Sequence, residues 1–108
     1  MAFDVLMTED AAHDLEEICD YIALHDSLGK AEHVLGQIEK AFMRLSESPE
    51  RGLYPKEMLA LGSREYREVF FKPYRIIYRI AGETVYVLLI VDGRRDMQSV
   101  LQRRLLEG

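Results

Sequence analysis

One cysteine, Cys19, stands among 108 residues, so no internal disulfide can form. Cys19 falls on the apolar stripe of a predicted helix, where a packed and inert thiol is its expected state. Without a disulfide framework, a reducing, cytoplasmic setting is expected. The opening residues Met1-Ala2-Phe3-Asp4 carry no basic segment leading into an apolar one. The longest apolar run, 85–91, is far too short to cross a bilayer. A soluble, unexported protein with no membrane partner is the expectation. Histidine is confined to His13, His25 and His33, and no second cysteine can join them, so no metal site is expected. Neither a Gly-x-Ser-x-Gly elbow nor a glycine-rich phosphate loop occurs, which argues against cofactor and nucleophile chemistry.

What the chain does have is apolar and charged residues in quantity, 48% and 31%, enough for one modest core, and a single domain over residues 1–108 is expected. The net charge of −5 conceals a division: residues 1–63 carry 5 Lys/Arg against 13 Asp/Glu, residues 64–108 carry 9 against 6. An acidic protein gains little of the general attraction to phosphate that drives nucleic-acid binding, although a local arginine cluster can still act.

The fold class reads as α+β. Phe3-Asp4-Val5-Leu6-Met7 suits a short strand, and Thr8 can cap a helix with Glu9 and Asp10 in its first turn. Ala11, Leu15, Ile18, Cys19 and Ile22 then recur at helical spacing. Ser27 is a second cap, followed by the stripe Ala31, Val34, Leu35, Ile38, Ala41, Phe42, Leu45, which Ser48-Pro49 ends. Residues 49–65 have no period and form a long, packed connection. Residues 66–71, 75–80 and 84–91 read as an antiparallel meander with turns at Lys72-Pro73-Tyr74 and Ala81-Gly82-Glu83. Val85, Val87, Leu89 and Val91 alternate with Tyr86, Leu88 and Ile90, so the last strand is apolar on both faces and belongs in the sheet interior. The first strand can pair on its free side, giving an antiparallel sheet packed on a two-helix hairpin. Asp96 can cap a terminal helix whose face of Met97, Val100, Leu101 and Leu105 packs on its own domain or on a partner chain.

Function is sought in the arginines. Arg67 and Arg75 are expected on facing strands near the Lys72-Pro73 turn, and Arg94 and Arg95 leave the adjacent strand at its end. If the four converge without an imidazole or phenol among them, they would bind phosphate or carboxylate groups bidentately. The alternative is that Arg67 and Arg75 pair with Glu65 or Glu68, and that Arg94 and Arg95 compensate Asp92 and Asp96.

Tyr66-Arg67 in one strand, Tyr74-Arg75-Ile76-Ile77-Tyr78 opening the next, a hydrophobic strand and then Gly93-Arg94-Arg95-Asp96 together resemble the RelE/ParE superfamily of bacterial type II toxins. The resemblance covers nearly the whole chain, since a helical hairpin after a short first strand is also that family's layout. RelE-like members cut messenger RNA in the ribosome, and their catalytic positions would fall on Arg67, Arg75 and Arg95. However, Val69 stands where a second strand lysine is often found, and Leu101 stands near the place of a C-terminal tyrosine. ParE-like members lack those groups and poison DNA gyrase, and the sequence is closer to this branch. The resemblance implies a cognate antitoxin whose C-terminal segment wraps the toxin over the sheet edge, the groove beside the hairpin and the arginines, with Arg67, Arg75, Arg94, Arg95, Met97 and Leu101 as contact residues. DNA would be reached only through the antitoxin. A ribosome-dependent ribonuclease and an inactive toxin-like binding module are the alternatives.

Overall fold

A short strand, β1 (Asp4–Met7), leads directly into a helix, α1 (Glu9–His25), because Thr8 is extended and its hydroxyl accepts the amide of Ala11 at 3.1 Å. Ser27 opens α2 (Leu28–Glu47) in the same way, accepting from Lys30 at 3.0 Å. Such caps contribute about 1 kcal/mol each. A 3₁₀ turn at Pro49–Arg51 and a one-turn helix, α3 (Lys56–Leu59), fill the expected long connection. Three strands follow, β2 (Arg67–Phe71), β3 (Tyr74–Ala81) and β4 (Thr84–Asp92). The last elements are α4 (Met97–Leu101), capped by Asp96, and a π-helical turn at Gln102–Leu106. The structure, a computed structural model, describes residues 2–106.

The sheet order is β1-β4-β3-β2, with the three later strands antiparallel, as their turns require. β1 lies on the free side of β4 but runs parallel to it, so the sheet is mixed where a wholly antiparallel one was expected. The cause is the direction of α1. The Thr8 amide bonds the carbonyl of Val87, and Asp14 reaches the amide of Ile90, so α1 keeps advancing along β4 after β1 ends. Only α2 reverses the chain, and it returns to the starting edge, where the Phe3 amide bonds the Ser46 carbonyl at 2.8 Å. β2 therefore starts at the same end as β1, and two reversals later β4 runs with it.

One face of the sheet buries Ile76, Tyr78, Val85, Val87 and Ile90 against Ala11 and Leu15 of α1 and Val34, Ile38, Ala41 and Leu45 of α2. Each large aliphatic side chain buried there contributes about 1.5–3 kcal/mol. The other face buries Ile77, Leu89 and Val91 under Met58 of α3 and Met97, Val100 and Leu101 of α4. The terminal helix thus packs on its own domain. Among the described residues, no helix is long and apolar enough to cross a membrane.

β4 does not keep the simple alternation its sequence suggests. Ile77 pairs with Leu89 and Tyr78 with Val87, which leaves Leu88 unpaired in a β-bulge. The extra residue reverses the parity of the strand. Val85 and Val87 face the hairpin, but beyond the bulge Ile90 faces it, and Leu89 and Val91 turn to α4.

Candidate functional site

The four arginines do not form one cluster. Arg67 pairs with Tyr78, at the far end of β2 from the Lys72–Pro73 turn, whereas Arg75 pairs with Phe70 close to that turn. Side chains alternate across a sheet, so Arg67 shares the hairpin face with Tyr78 while Arg75 shares the opposite face with Ile77. The expected convergence therefore fails on both register and face.

Arg67 and Arg75 are also each engaged within the chain. The Arg67 guanidinium donates to the carbonyls of Glu50 at 3.1 Å and Gly52 at 3.0 Å, and to the Tyr54 hydroxyl at 3.0 Å. It fastens the 3₁₀ turn to β2. Arg75 is buried, at 8% exposure, and grips two carboxylates: Glu57 through two bonds of 2.9 and 2.8 Å, and Glu68 at 2.6 Å. The hydrogen bonds from Arg75 hold the Glu57 carboxyl below its ordinary range, while burial pushes the Glu68 carboxyl above its own. Glu68 was foreseen as a partner of Arg75; Glu57 was not. Met97 and Leu101 lie in the inner cluster under the sheet, at 6% and 1% exposure, and present no surface to a partner.

Arg94 and Arg95 remain at the surface. Arg94 folds back on Asp92, donating at 2.6 Å, and this bond holds the Asp92 carboxyl below its usual range. Among the described residues no ion pair or side-chain hydrogen bond engages the guanidinium of Arg95. Both arginines line a cleft of about 480 Å³ between α1 and the ends of β3 and β4, floored by Ile18, Ile22, Tyr74 and Ile90. A second cleft of about 510 Å³, between α2 and the β2–β3 turn, holds Val34, Phe71, His33, Lys30 and Lys72. Ile22 and Tyr74 line both, so the two form one furrow around the tip of the helical hairpin. Its floor is apolar, its sheet-side lip carries Lys72, Asp92, Arg94 and Arg95, and its helical side carries Asp14, Glu17 and Asp26.

Tyr74 pairs with Asp92 and sits in this furrow beside the two terminal arginines, contrary to the expectation that no phenol stands among them. Burial, reinforced by Asp92, pushes its hydroxyl above the ordinary tyrosine range, so it keeps its proton at neutral pH. The furrow was not legible because its two halves come from segments far apart in sequence. The available signal was the position of Lys72 and Tyr74 in the turn that faces the end of β4.

A further open surface runs along the outer edge of β2. Leu53 and Glu68 exchange both backbone hydrogen bonds there, at 3.0 and 2.7 Å. By the alternation of an antiparallel ladder, Phe70 also points its amide and carbonyl outward. A hollow of about 210 Å³ flanks this edge, with Arg44 and Arg51 on its walls and Phe70, 53% exposed, beside it.

Residues 5–97 match the family model described as the ParE toxin of the type II toxin-antitoxin system parDE. The chain belongs to the ParE toxin family. It is 30% identical over 100 residues to toxin ParE3 of Caulobacter vibrioides, a match spanning 93% of this chain and 96% of that one. The ParE-like fold recurs in the chromosomal ParDE toxin-antitoxin system of P. aeruginosa, with a TM-score of 0.69, 19% identity and coverage of 84% and 96%. It recurs again in the toxin-antitoxin complex RelBE2 of Mycobacterium tuberculosis, with a TM-score of 0.58, 24% identity and coverage of 85% and 99%. Both branches of the superfamily are thus represented among its structural neighbours, while the family model and the ParE3 relative assign this chain to the ParE side.

Proposed function

We propose that this ParE-family protein inhibits DNA gyrase without catalysis of its own and is neutralised by a cognate antitoxin. The observation that carries the reading is the fate of Arg67 and Arg75. They lie on opposite faces, one spent on backbone carbonyls and the other on two carboxylates, so neither is available to stabilise a transferring phosphate. Membership in the ParE family points the same way. The test is a supercoiling assay with purified toxin: inhibition or accumulated cleaved DNA is expected, and an indifferent gyrase at saturating toxin would remove the proposal.

The antitoxin reading rests on four surface cations, Lys72, Arg95, Arg44 and Arg51, that form no ion pair among the described residues. An amphipathic segment would lay apolar side chains on Ile18, Ile22 and Tyr74 in the furrow and place carboxylates on Lys72 and Arg95. An extended stretch would pair with the outward groups of Phe70 and answer Arg44 and Arg51. The protein would act in the cytoplasm and meet DNA only through gyrase or the antitoxin.

One observation favours a second reading. The Tyr74 phenol lines the furrow together with Lys72, Arg94 and Arg95, so a ribosome-dependent endoribonuclease would use Tyr74 as the proton carrier among these cations. Mapping of transcripts in a translating extract separates the two, since only this second reading predicts cleavage.

A further inference from the structure

The β-bulge at Leu88 exposes two backbone groups that no strand can satisfy, because β1 has already ended opposite Val87. Both are taken by a single ion pair. Asp14 of α1 accepts the Ile90 amide on Oδ2 at 3.1 Å. Arg104, in the terminal π-helical turn, donates to the Leu88 carbonyl at 3.2 Å and to both oxygens of Asp14 at 2.9 Å. The pair is largely buried, with side-chain exposures of 21% and 15%. A helix from one side of the sheet and the terminal segment from the other therefore meet at one backbone irregularity.

That irregularity decides where the end of β4 points. With Leu88 bulged out, Asp92 falls on the hairpin face beside Tyr74 and lines the furrow, and the Gly93-Arg94-Arg95 turn follows it to the lip. Without it, the same residues would leave the strand on the α4 face. We infer that Asp14 and Arg104 are positioning residues, a clamp on the Leu88 bulge that sets Arg94 and Arg95 at the lip of the furrow. Arg104 thereby governs the furrow through the backbone of β4. The inference rests on the furrow being the working surface proposed above.

Amide exchange of the full chain by NMR tests the clamp. In Asp14→Ala the Ile90 amide should exchange at least about tenfold faster relative to the ladder amides of β3, because its acceptor is gone. In Asp14→Asn, which keeps an acceptor oxygen and guards against a variant that fails to fold, Ile90 should stay protected. Arg104→Met should shift the amide signals of Gly93 to Arg95. The charge exchange Asp14→Arg with Arg104→Asp should not rescue either effect: an arginine at 14 offers the Ile90 amide no acceptor, and a carboxylate at 104 cannot donate to Leu88. An ordinary salt bridge would be restored by that exchange, so recovery of Ile90 protection and of the Gly93–Arg95 signals would overturn the clamp. Unchanged Ile90 exchange in Asp14→Ala would do the same. Induced expression gives the functional arm, in which folded Arg104→Met loses growth arrest. Arrest that persists while the Gly93 to Arg95 signals have moved would sink the positioning role. A wild-type chain that arrests nothing would count against the toxin reading alone, with the amide data still judging the clamp.

Discussion

Arg75 and Glu57 are joined by two parallel hydrogen bonds of 2.9 and 2.8 Å, although they stand 18 positions apart, with the irregular stretch after α3 and the whole of β2 between them. The bond pair carries a guanidinium of β3 to the first turn of α3 and so pins the irregular connection onto the sheet. Met58, the next residue, enters the second core at 1% exposure because of it.

Removing that guanidinium leaves Glu68 buried without compensation. Arg75→Met should therefore destabilise the fold by about 3–5 kcal/mol, the range for breaking a buried pair from one side. Glu57→Gln keeps an acceptor and removes one of two carboxylates, so a smaller loss of about 1–2 kcal/mol is expected. Urea denaturation of the two variants checks the order; equal losses would show that Glu57, not Glu68, carries the need for Arg75.

The two carboxylates should respond to pH with opposite signs. The folded pKa of Glu57 is depressed, so its contribution is present above the ordinary glutamate range and is lost as pH falls through the folded value. That of Glu68 is raised by burial, so its ionisation costs stability as pH climbs through the folded value. The stability difference between wild type and Glu57→Gln should shrink on acidification. Glu68→Gln should gain on wild type as pH rises above the ordinary glutamate range. Stability curves from acid to neutral pH for both variants decide this, and parallel curves would rule out the assignment.

Much of the scaffold could be read from the chain because its signals are local. Thr8, Ser27 and Asp96 all cap helices, and the two stripes on α1 and α2 face the core. Other features depend on distance or register. A strand such as β4, apolar on both faces, shows no change of pattern when a residue is inserted, so the bulge at Leu88 left no trace. Arg67 and Arg75 resemble neighbours in sequence, yet only the pairing of Arg67 with Tyr78 reveals that they face apart. The parallel setting of β1 follows from Asp14 meeting Ile90, 76 residues later.

Tyr78 and Gly52 form a second test of the connection. The Tyr78 hydroxyl donates to the Pro49 carbonyl at 2.5 Å and accepts the Gly52 amide at 3.0 Å, all within the core. A Cβ at Gly52 would lie 2.8 Å from the Glu68 carbonyl oxygen and collide with the Tyr78 hydroxyl, so backbone as well as side chain would have to move. Gly52→Ala should cost about 1–3 kcal/mol through overpacking. Tyr78→Phe should cost a comparable amount, about 1–3 kcal/mol, through two unsatisfied backbone groups. The double variant should lose less than the sum, since phenylalanine removes the oxygen that a Cβ at 52 would strike. Additive losses in thermal unfolding would mean that the Glu68 carbonyl and the Tyr78 ring carbon, 2.8 and 2.9 Å from that Cβ, set the barrier without the hydroxyl.

Arg95 separates binding from stability. It is exposed and forms no ion pair among the described residues, so Arg95→Glu should leave the unfolding free energy within about 0.5 kcal/mol of wild type. In the furrow, however, the reversal puts a carboxylate where the proposed antitoxin segment brings its own. Affinity for the C-terminal segment of the proposed antitoxin should fall about tenfold, and further with Lys72→Glu. Because the lip attracts through exposed charge, the wild-type interaction should also weaken as salt is raised, while the reversed variant should depend on salt less. Titration calorimetry at two ionic strengths measures both effects. Arg67→Met is the matched comparison: it disturbs an arginine engaged internally, far from the furrow, so it should lower stability and spare the salt dependence of binding. If Arg67→Met instead abolished that dependence and Arg95→Glu left it intact, the working surface would lie at the other end of β2.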